Sequence, residues 1–280
     1  SSSGAGCEDV LMRFNGERVE GAWTGTRGLH YGDGVFRTGL VRGGRLMQRE
    51  RQLARLTLDA SRLDLEVAPE LGDEVDEVCR EAGEGALRIV LSRADSGRGY
   101  VPRGSRCDRL VRVSPLPDHA PESWRDGIAC AWSPVLLAVQ PRLAGIKHLN
   151  RLEQVLASRD WPATCQEVLM CDAEGRVTAG SRSNVFFVIE GVLVTPDLSF
   201  AGVAGMMRDY LIELGRQAGM ACEIGLISPD EVRHATEGFA CNSLIGIWPL
   251  RSVGSVAFES PGPITRRMID LLRHPWSGTA

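Results

Sequence analysis

The segment "AGIKHLNRLEQVLA", residues 144–157, holds Lys147, the single lysine in a chain whose lysines and arginines together number 32. For a surface charge or an anion contact, arginine serves as well or better. What arginine cannot do is shed a proton near neutral pH and add to a carbonyl as an amine. Lys147 is therefore a candidate for amine chemistry, with codon bias toward arginine as the competing origin of the pattern. To act as a nucleophile or base at neutral pH, the amine needs burial and neighbouring cations that lower its proton affinity.

An amine of this kind needs an aldehyde partner, and the common protein-bound one is pyridoxal phosphate. Its phosphate needs a cradle of free N–H groups, as at a helix N-terminus. "AGVAGMMRDYL" offers one: Gly202 and Gly205 permit close backbone approach, and Met206 and Met207 begin the helix. An ordinary glycine-punctuated helix start fits the same letters. Arg55 lies among Leu53, Leu56 and Ala60, closer to the apolar stripe than Arg51, either facing an anion or snorkelling from the helix flank. "LSRADSGRGYVPRG" puts Arg93, Arg98 and Tyr100 on a glycine-bearing loop, suited to a carboxylate by forked hydrogen bonds or simply solvated.

These residues need a framework. At 280 residues the chain can bury one large core or two domain-sized ones, the second being expected. Apolar residues make up 43% and charged residues 24%, an ordinary globular balance, and the net charge of −4 gives no global attraction to nucleic acid or anionic membranes. No apolar run has the length of a membrane span. "SSSGAGCEDV" lacks the pattern of a signal peptide and reads as an unstructured lead. The eight cysteines are scattered, with no C-x-x-C pair, and are expected as reduced thiols, several on strands, in a cytoplasmic protein. No histidine spacing suits a metal, and none is assigned.

"DVLMRFNGERV" reads as strand, turn at Asn15–Gly16, strand. "RQLARLTLDASRL" is helical, with Leu53, Leu56, Ala60 and Leu63 on one face. "APELGDEVDEVCREAG" is a second helix with Leu71, Val75, Val78 and Ala82 on one face. "GALRIVLSR" alternates as a strand, and "DRLVRVSPLP" is another. The proline-rich stretch 114–124 is the natural linker. Beyond it come the strand "GIACAW" and a helix from about Asn150 to Asp160. A β-meander over "QEVLMCDAEGRVTAGSRSNVFFVIEGVLVTP" follows, then an amphipathic helix from "GVAGMM". Ser228, Pro229 and Glu231 stand in capping-box register, and "GFACNSL" and "GIWPLRSV" are the last strands. The irregular order indicates an α+β fold.

Taken in order, "RGLHYGDGVFRTGLVRGGRL", "RQLARLTLDASRL", "SRADSGRGY", "GIKHLNRLEQVLA", "SNVFFVIEGVLVTP", "GVAGMMRDYL" and "CNSLIGIWPL" resemble the class IV (fold type IV) pyridoxal phosphate-dependent enzymes. These include branched-chain and D-amino-acid aminotransferases and aminodeoxychorismate lyases. "IKHLNRLEQVLA" and "GDGVFRT" look most like the lyases.

The resemblance implies a two-domain α+β fold: a smaller N-terminal α/β domain over 1–115, a linker over 116–123, and a larger cofactor-binding domain over 124–280. Pyridoxal phosphate would lie between the domains of a homodimer. Lys147 matches the lysine that bonds the cofactor aldehyde, Arg55 the phosphate-binding arginine, and Met206 and Met207 the residues whose N–H groups meet the phosphate. Asn242 and Ser243 match a second phosphate-side turn, and Thr38 a threonine that assists proton transfer. Arg98 and Tyr100 lie in a loop that reaches the substrate and can come from the partner subunit.

The activity implied is conversion of 4-amino-4-deoxychorismate to 4-aminobenzoate and pyruvate. A class IV aminotransferase, or a catalytically degenerate binding protein of the same fold, are the alternatives. One position departs from the pattern: relatives usually carry glutamate, facing the pyridine nitrogen, where this chain has Ala179.

Overall fold

A computed structural model describes residues 13–14, 17–18, 26–94, 99–159 and 161–275. The lead before residue 13 and the turn at Asn15–Gly16 lie outside the described residues. The strands β1 (Arg13–Phe14) and β2 (Glu17–Arg18) pair antiparallel, as their sequence suggests.

The first large unit is an antiparallel sheet. After a short helix α1 (Arg27–Tyr31) come β3 (Gly34–Arg42), β4 (Arg45–Leu46), β5 (Gly85–Arg93) and β6 (Cys107–Ser114), ordered β4-β3-β5-β6. Helices α2 (Arg49–Ser61) and α3 (Leu71–Ala82) cover one face. The register pairs Val35 with Leu91, Arg37 with Ile89 and Gly39 with Leu87, so these side chains share the helix-covered face. Leu56 and Ala60 of α2 and Leu71, Val75 and Cys79 of α3 pack against them. A fully buried leucine such as Leu56 contributes about 1.5–3 kcal/mol. The opposite face of the sheet carries Phe36, Thr38 and Arg88, Thr38 and Arg88 being directly paired. The expected α3 stripe needs correction: Cys79, not Ala82, completes the buried row, and Ala82 is exposed. The step from Val75 to Cys79 is one turn of four residues, and four more fall on the glycine that ends the helix.

Residues 115–121 run without regular structure into α4 (Glu122–Arg125). The second sheet has nine strands: β7 (Ile128–Trp132), β8 (Glu167–Cys171), β9 (Val177–Gly180), β10 (Asn184–Ile189), β11 (Val192–Pro196), β12 (Cys222–Gly225), β13 (Glu237–Asn242), β14 (Gly246–Val253) and β15 (Val256–Ala257). Their order is β12-β11-β10-β13-β14-β7-β8-β9, with β15 on β14. Around it lie α5 (Leu152–Arg159), α6 (Met206–Gln217), α7 (Pro229–Val232) and α8 (Pro263–Leu272).

Both faces of the central strands are covered. Phe186 and Phe239, stacked 4.8 Å apart, meet Leu211 of α6 and Met268 of α8, while Phe187 and Trp248 lie in a second cluster with Ile128 and Leu250. Burial on two sides is why "NVFFVI" is a continuous apolar run with no alternation.

The expected meander is overturned at one step. Among the described residues β9 pairs only with β8, and β10 pairs with β11 and β13, so β13, β14, β7 and β8 separate β9 from β10 in the pairing order. The turn between them is fastened to Glu167, whose carboxylate accepts from the Ser181 and Ser183 hydroxyls. Helix α8 has no counterpart in the sequence expectation. It starts at Pro263, a residue suited to a first turn because the N–H it lacks has no intrahelical acceptor there.

Candidate active site

The segment around Lys147 is stitched to elements on both sides. The Phe36 N–H donates to the Lys147 carbonyl at 2.9 Å, and the Leu149 N–H donates to the Gly34 carbonyl at 3.0 Å, which binds the segment to β3. Toward α6, the Gly145 N–H donates to the Gly202 carbonyl and the Ala204 N–H to the Gly145 carbonyl. The Lys147 N–H donates to Asp59 Oδ2 of α2 at 3.0 Å, and Arg62 donates to the Ala144 carbonyl at 2.7 Å. The backbone of the lysine is therefore fixed before any ligand arrives.

Its side chain enters a cavity of about 720 Å³. Lys147 Nζ lies 4.6 Å from the Phe36 ring centroid, and the Arg88 guanidinium lies 4.2 Å from the same centroid. Arg37, Arg88, Lys147, Arg151, Arg159 and Arg182 line this cavity, and among the described residues no aspartate or glutamate does. Burial, and then the charges of Arg37, Arg151 and Arg88, bring the Lys147 pKa from 10.5 down to about 7, with Asp59 opposing. Near neutral pH a large share of the amine is therefore unprotonated. His148, half-buried beside Arg151, is pushed down to about 4 by desolvation and the Arg151 charge and stays neutral.

The helix N-terminus at α6 opens on the same cavity. Gly205 is its N-cap, and Met206 and Met207 form its first turn, where N–H groups have no intrahelical acceptor. The Gly205 N–H donates to Asn184 Oδ1 at 3.1 Å. A Cβ at residue 205 would crowd that oxygen, so a larger residue there would displace the Asn184 amide. Asn242 Oδ1 accepts from the N–H groups of Leu244 and Ile245 and shapes the turn that presents Ser243. The Ser243 hydroxyl accepts from Gln52 Nε2 of α2 at 2.9 Å, linking the two sheets across the site.

Of the sequence-derived residues, Lys147, Thr38, Met206, Met207, Asn242, Ser243 and Ala179 line this one cavity. Arg55 stands behind its wall: Nη1 donates to Asp209 Oδ2 of α6 at 3.0 Å, Nη2 to the Gly145 carbonyl at 3.2 Å, and Nε pairs with Asp59. Tyr100 is 87% exposed and not on the cavity wall. Its carbonyl and that of Gly99 accept from Arg27, and its ring meets Tyr31. Arg98 lies outside the described residues.

Sequence reasoning missed Arg37, Arg88, Arg151, Arg159 and Arg182 as cavity residues, along with the buried Asp59 and Gln52 behind them. Arg88 is signalled only by the β3–β5 register, which places it beside Thr38. Arg151 falls within the quoted lysine segment, four residues after Lys147.

One amine, a helix N-terminus and a ring of guanidiniums suit an aldehyde cofactor bearing a phosphate and an anionic substrate. The donors match: Lys147 for the aldehyde, the N–H groups of Met206 and Met207 with Ser243 for the phosphate.

Residues 34–253 match the family model of amino-transferase class IV. The chain is 29% identical over 254 residues to an aminodeoxychorismate lyase of Vibrio harveyi, covering 87% of this chain and 93% of that one. It is 26% identical over 279 residues to a branched-chain-amino-acid aminotransferase of Escherichia coli K12, covering 91% and 89%. Among solved structures, a 4-amino-4-deoxychorismate lyase from Pseudomonas aeruginosa matches with a TM-score of 0.86 and 39% identity, over 90% of this chain and 94% of that chain. The branched-chain aminotransferase of Escherichia coli matches in fold with a TM-score of 0.79 at 24% identity, over 91% and 90%.

Proposed function

Because the chain belongs to the amino-transferase class IV family, we propose that it is a pyridoxal phosphate-dependent aminodeoxychorismate lyase, converting 4-amino-4-deoxychorismate to 4-aminobenzoate and pyruvate. The observation that carries this reading is the cavity itself. It joins one amine of lowered proton affinity to five arginines and, among the described residues, no lining carboxylate. The substrate has one amine to engage, a carboxylate on its ring and another on its enolpyruvyl arm. A wall of guanidiniums suits both carboxylates.

Pyridoxal phosphate, when bound, supplies the aldehyde that takes up the substrate amine and a ring that accepts electrons from the adjacent carbon. Lys147 would hold that aldehyde in the resting enzyme. The N–H groups of Met206 and Met207 and the Asn242–Ser243 turn would hold the phosphate, and Arg55, behind the cavity wall, would add its charge from there. With the substrate in place, Lys147 Nζ takes the proton from the ring carbon that bears the amine, which its lowered pKa permits near neutral pH. Arg88, paired with Thr38 across the strands, holds a carboxylate. The proton that Lys147 took is then relayed, by Thr38 or by Lys147 itself, to the departing enolpyruvyl fragment.

The two sheets support a division into residues 1–115, the linker 116–123 and residues 124–280. The enzyme works as a homodimer in the cytoplasm, with Arg98 and Tyr100 reaching the partner's cavity. Exposed Leu29, Tyr100 and Val101 near that loop supply apolar surface for the contact. Free thiols at seven described cysteines fit a reducing compartment. Among the described residues no helix is long and apolar enough to cross a membrane.

The test is to incubate the cofactor-loaded protein with 4-amino-4-deoxychorismate, and separately with D-alanine or branched-chain amino acids plus a keto acid. Pyruvate and 4-aminobenzoate from the first mixture support the lyase. Amino transfer in the second without product in the first points to the aminotransferase, and silence in both to a binding protein.

A further inference from the structure

Arg37 and Lys147 share one carboxylate oxygen. Asp59, fully buried on α2, accepts through Oδ2 from Arg37 Nη2 and from the Lys147 main-chain N–H, the latter at 3.0 Å. Its other oxygen pairs with Arg55 Nε at 3.3 Å. Arg37 stands on the helix-covered face of β3, where its strand neighbours on that face are Val35 and Gly39 and its cross-strand partner is Ile89. A cation in such a place is costly unless held by an anion. Its side chain is 5% exposed, yet it reaches the cavity wall that Lys147 also lines. A guanidinium does not give up its proton, so the charge beside the lysine is permanent.

We propose that Arg37 and Asp59 are a positioning pair for Lys147: the carboxylate fixes the lysine backbone and the guanidinium together, and the fixed cation keeps the lysine amine neutral and reactive. The inference rests on Lys147 being the reacting amine of the function proposed above. The other charged groups facing Lys147 are Arg88 from β5 and Arg151 at the start of α5, with neutral His148 beside it. Arg37 weighs most among the charges on the amine and Asp59 least, so the cationic end of the pair prevails there. Arg88 and Arg151 serve less well as a permanent bias, because a bound substrate carboxylate would neutralise them.

Because the chain has one lysine, reductive methylation with carbon-13 formaldehyde labels only Lys147 Nζ and the terminal amine. Titrating the labelled full chain by NMR, without cofactor or substrate, reads the lysine directly. In Arg37→Gln the midpoint rises by about one unit or more, and in Asp59→Asn it falls. A pocket that had merely loosened would move both variants upward, toward an ordinary lysine. An unchanged midpoint in Arg37→Gln, or a rise in both, overturns the proposal. Should Arg37→Gln not fold, Asp59→Asn decides alone: a fall supports the pair and anything else overturns it. No turnover is measured, so a failed lyase assay and a failed titration are separate results.

Discussion

Glu167 accepts hydrogen bonds from the hydroxyls of Ser181 and Ser183, at 2.6 and 2.7 Å, from beneath the turn that follows Ala179. It also accepts from the Ser181 N–H at 3.0 Å, so this buried carboxylate is committed to the turn and does not line the cavity. Asp59 and Asp209 are likewise engaged, with Arg37 and Arg55. Under the proposed function, the cofactor's ring nitrogen would meet at Ala179 a cavity wall that, among the described residues, carries no acid to keep it protonated.

A protonated ring nitrogen matters most where electrons must rest on the cofactor, as in amino transfer. It matters less where a leaving group carries them away and an aromatic ring forms. Ala179→Glu is therefore expected to tighten cofactor binding and to raise any transamination side reaction more than lyase turnover. Cofactor affinity by fluorescence titration, and both activities at saturating cofactor, check this. A rise in lyase turnover by orders of magnitude with transamination flat would contradict it.

Lys147 links the chemistry to stability. Its pKa is about 7 in the folded protein, against an ordinary 10.5. Between those values the unfolded chain binds more protons than the folded one, so this group's contribution to stability rises with pH from about 7 to about 10.5. Below that window both states are protonated, and the folded state bears the full burden of a desolvated ammonium. The cofactor-free Lys147→Met variant should be more stable than the parent at about pH 6, with the gap closing toward about pH 10. Urea titrations at the two pH values measure it, and an equal gap at both would rule it out. The same variant loses the visible absorbance of the lysine-bound cofactor and all turnover.

Arg88 has a guanidinium over the Phe36 ring and, among the described residues, no hydrogen-bond acceptor. Burial pushes its pKa down, and the Arg112 charge adds to that. A cation held in this state fits an incoming carboxylate. Charge-assisted bonds contribute about 1.5–3 kcal/mol, so Arg88→Gln should lower kcat/KM about ten- to a hundredfold, mainly through KM. The Lys147-bound absorbance should remain. If KM holds and only the cofactor signal is lost, Arg88 belongs to the cofactor and not to the substrate.

The glycines before α6, the lone lysine and the helices carrying Arg55 and Met206 are legible because each rests on local chemistry: a helix start, a rare residue type, an apolar period. The cavity arginines were not. Arg37 and Arg88 sit on adjacent strands far apart in sequence, and only the register of β3 with β5 decides that Arg88 stands beside Thr38 while Arg37 points the other way. The step from β9 to β10 failed for the same reason. Two consecutive strands with a short turn between them read as a hairpin, but the Ser181–Ser183 turn is bound to Glu167, a residue no local pattern connects to it.

Gly205 offers a last test, because its role can be separated from helix stability. Its φ of −75° and ψ of 146° are open to alanine, so Gly205→Ala strains no backbone. The added Cβ would clash with Asn184 Oδ1. Asn184 must then move, which disturbs both its bond from the Gly205 N–H and its own donation to the Val203 carbonyl at 2.8 Å. Each such bond contributes about 0.5–1.5 kcal/mol, and both shape the approach to the first turn of α6. Cofactor affinity should fall about tenfold or more, while the unfolding midpoint shifts modestly. Ser228→Ala is the matched control. Ser228 caps α7 with Glu231 in a reciprocal box, and neither residue lines the cavity. Losing that cap should cost about 1 kcal/mol of stability and leave cofactor affinity unchanged. Equal losses of affinity in the two variants would mean that Gly205 acts through global stability and not through the phosphate cradle.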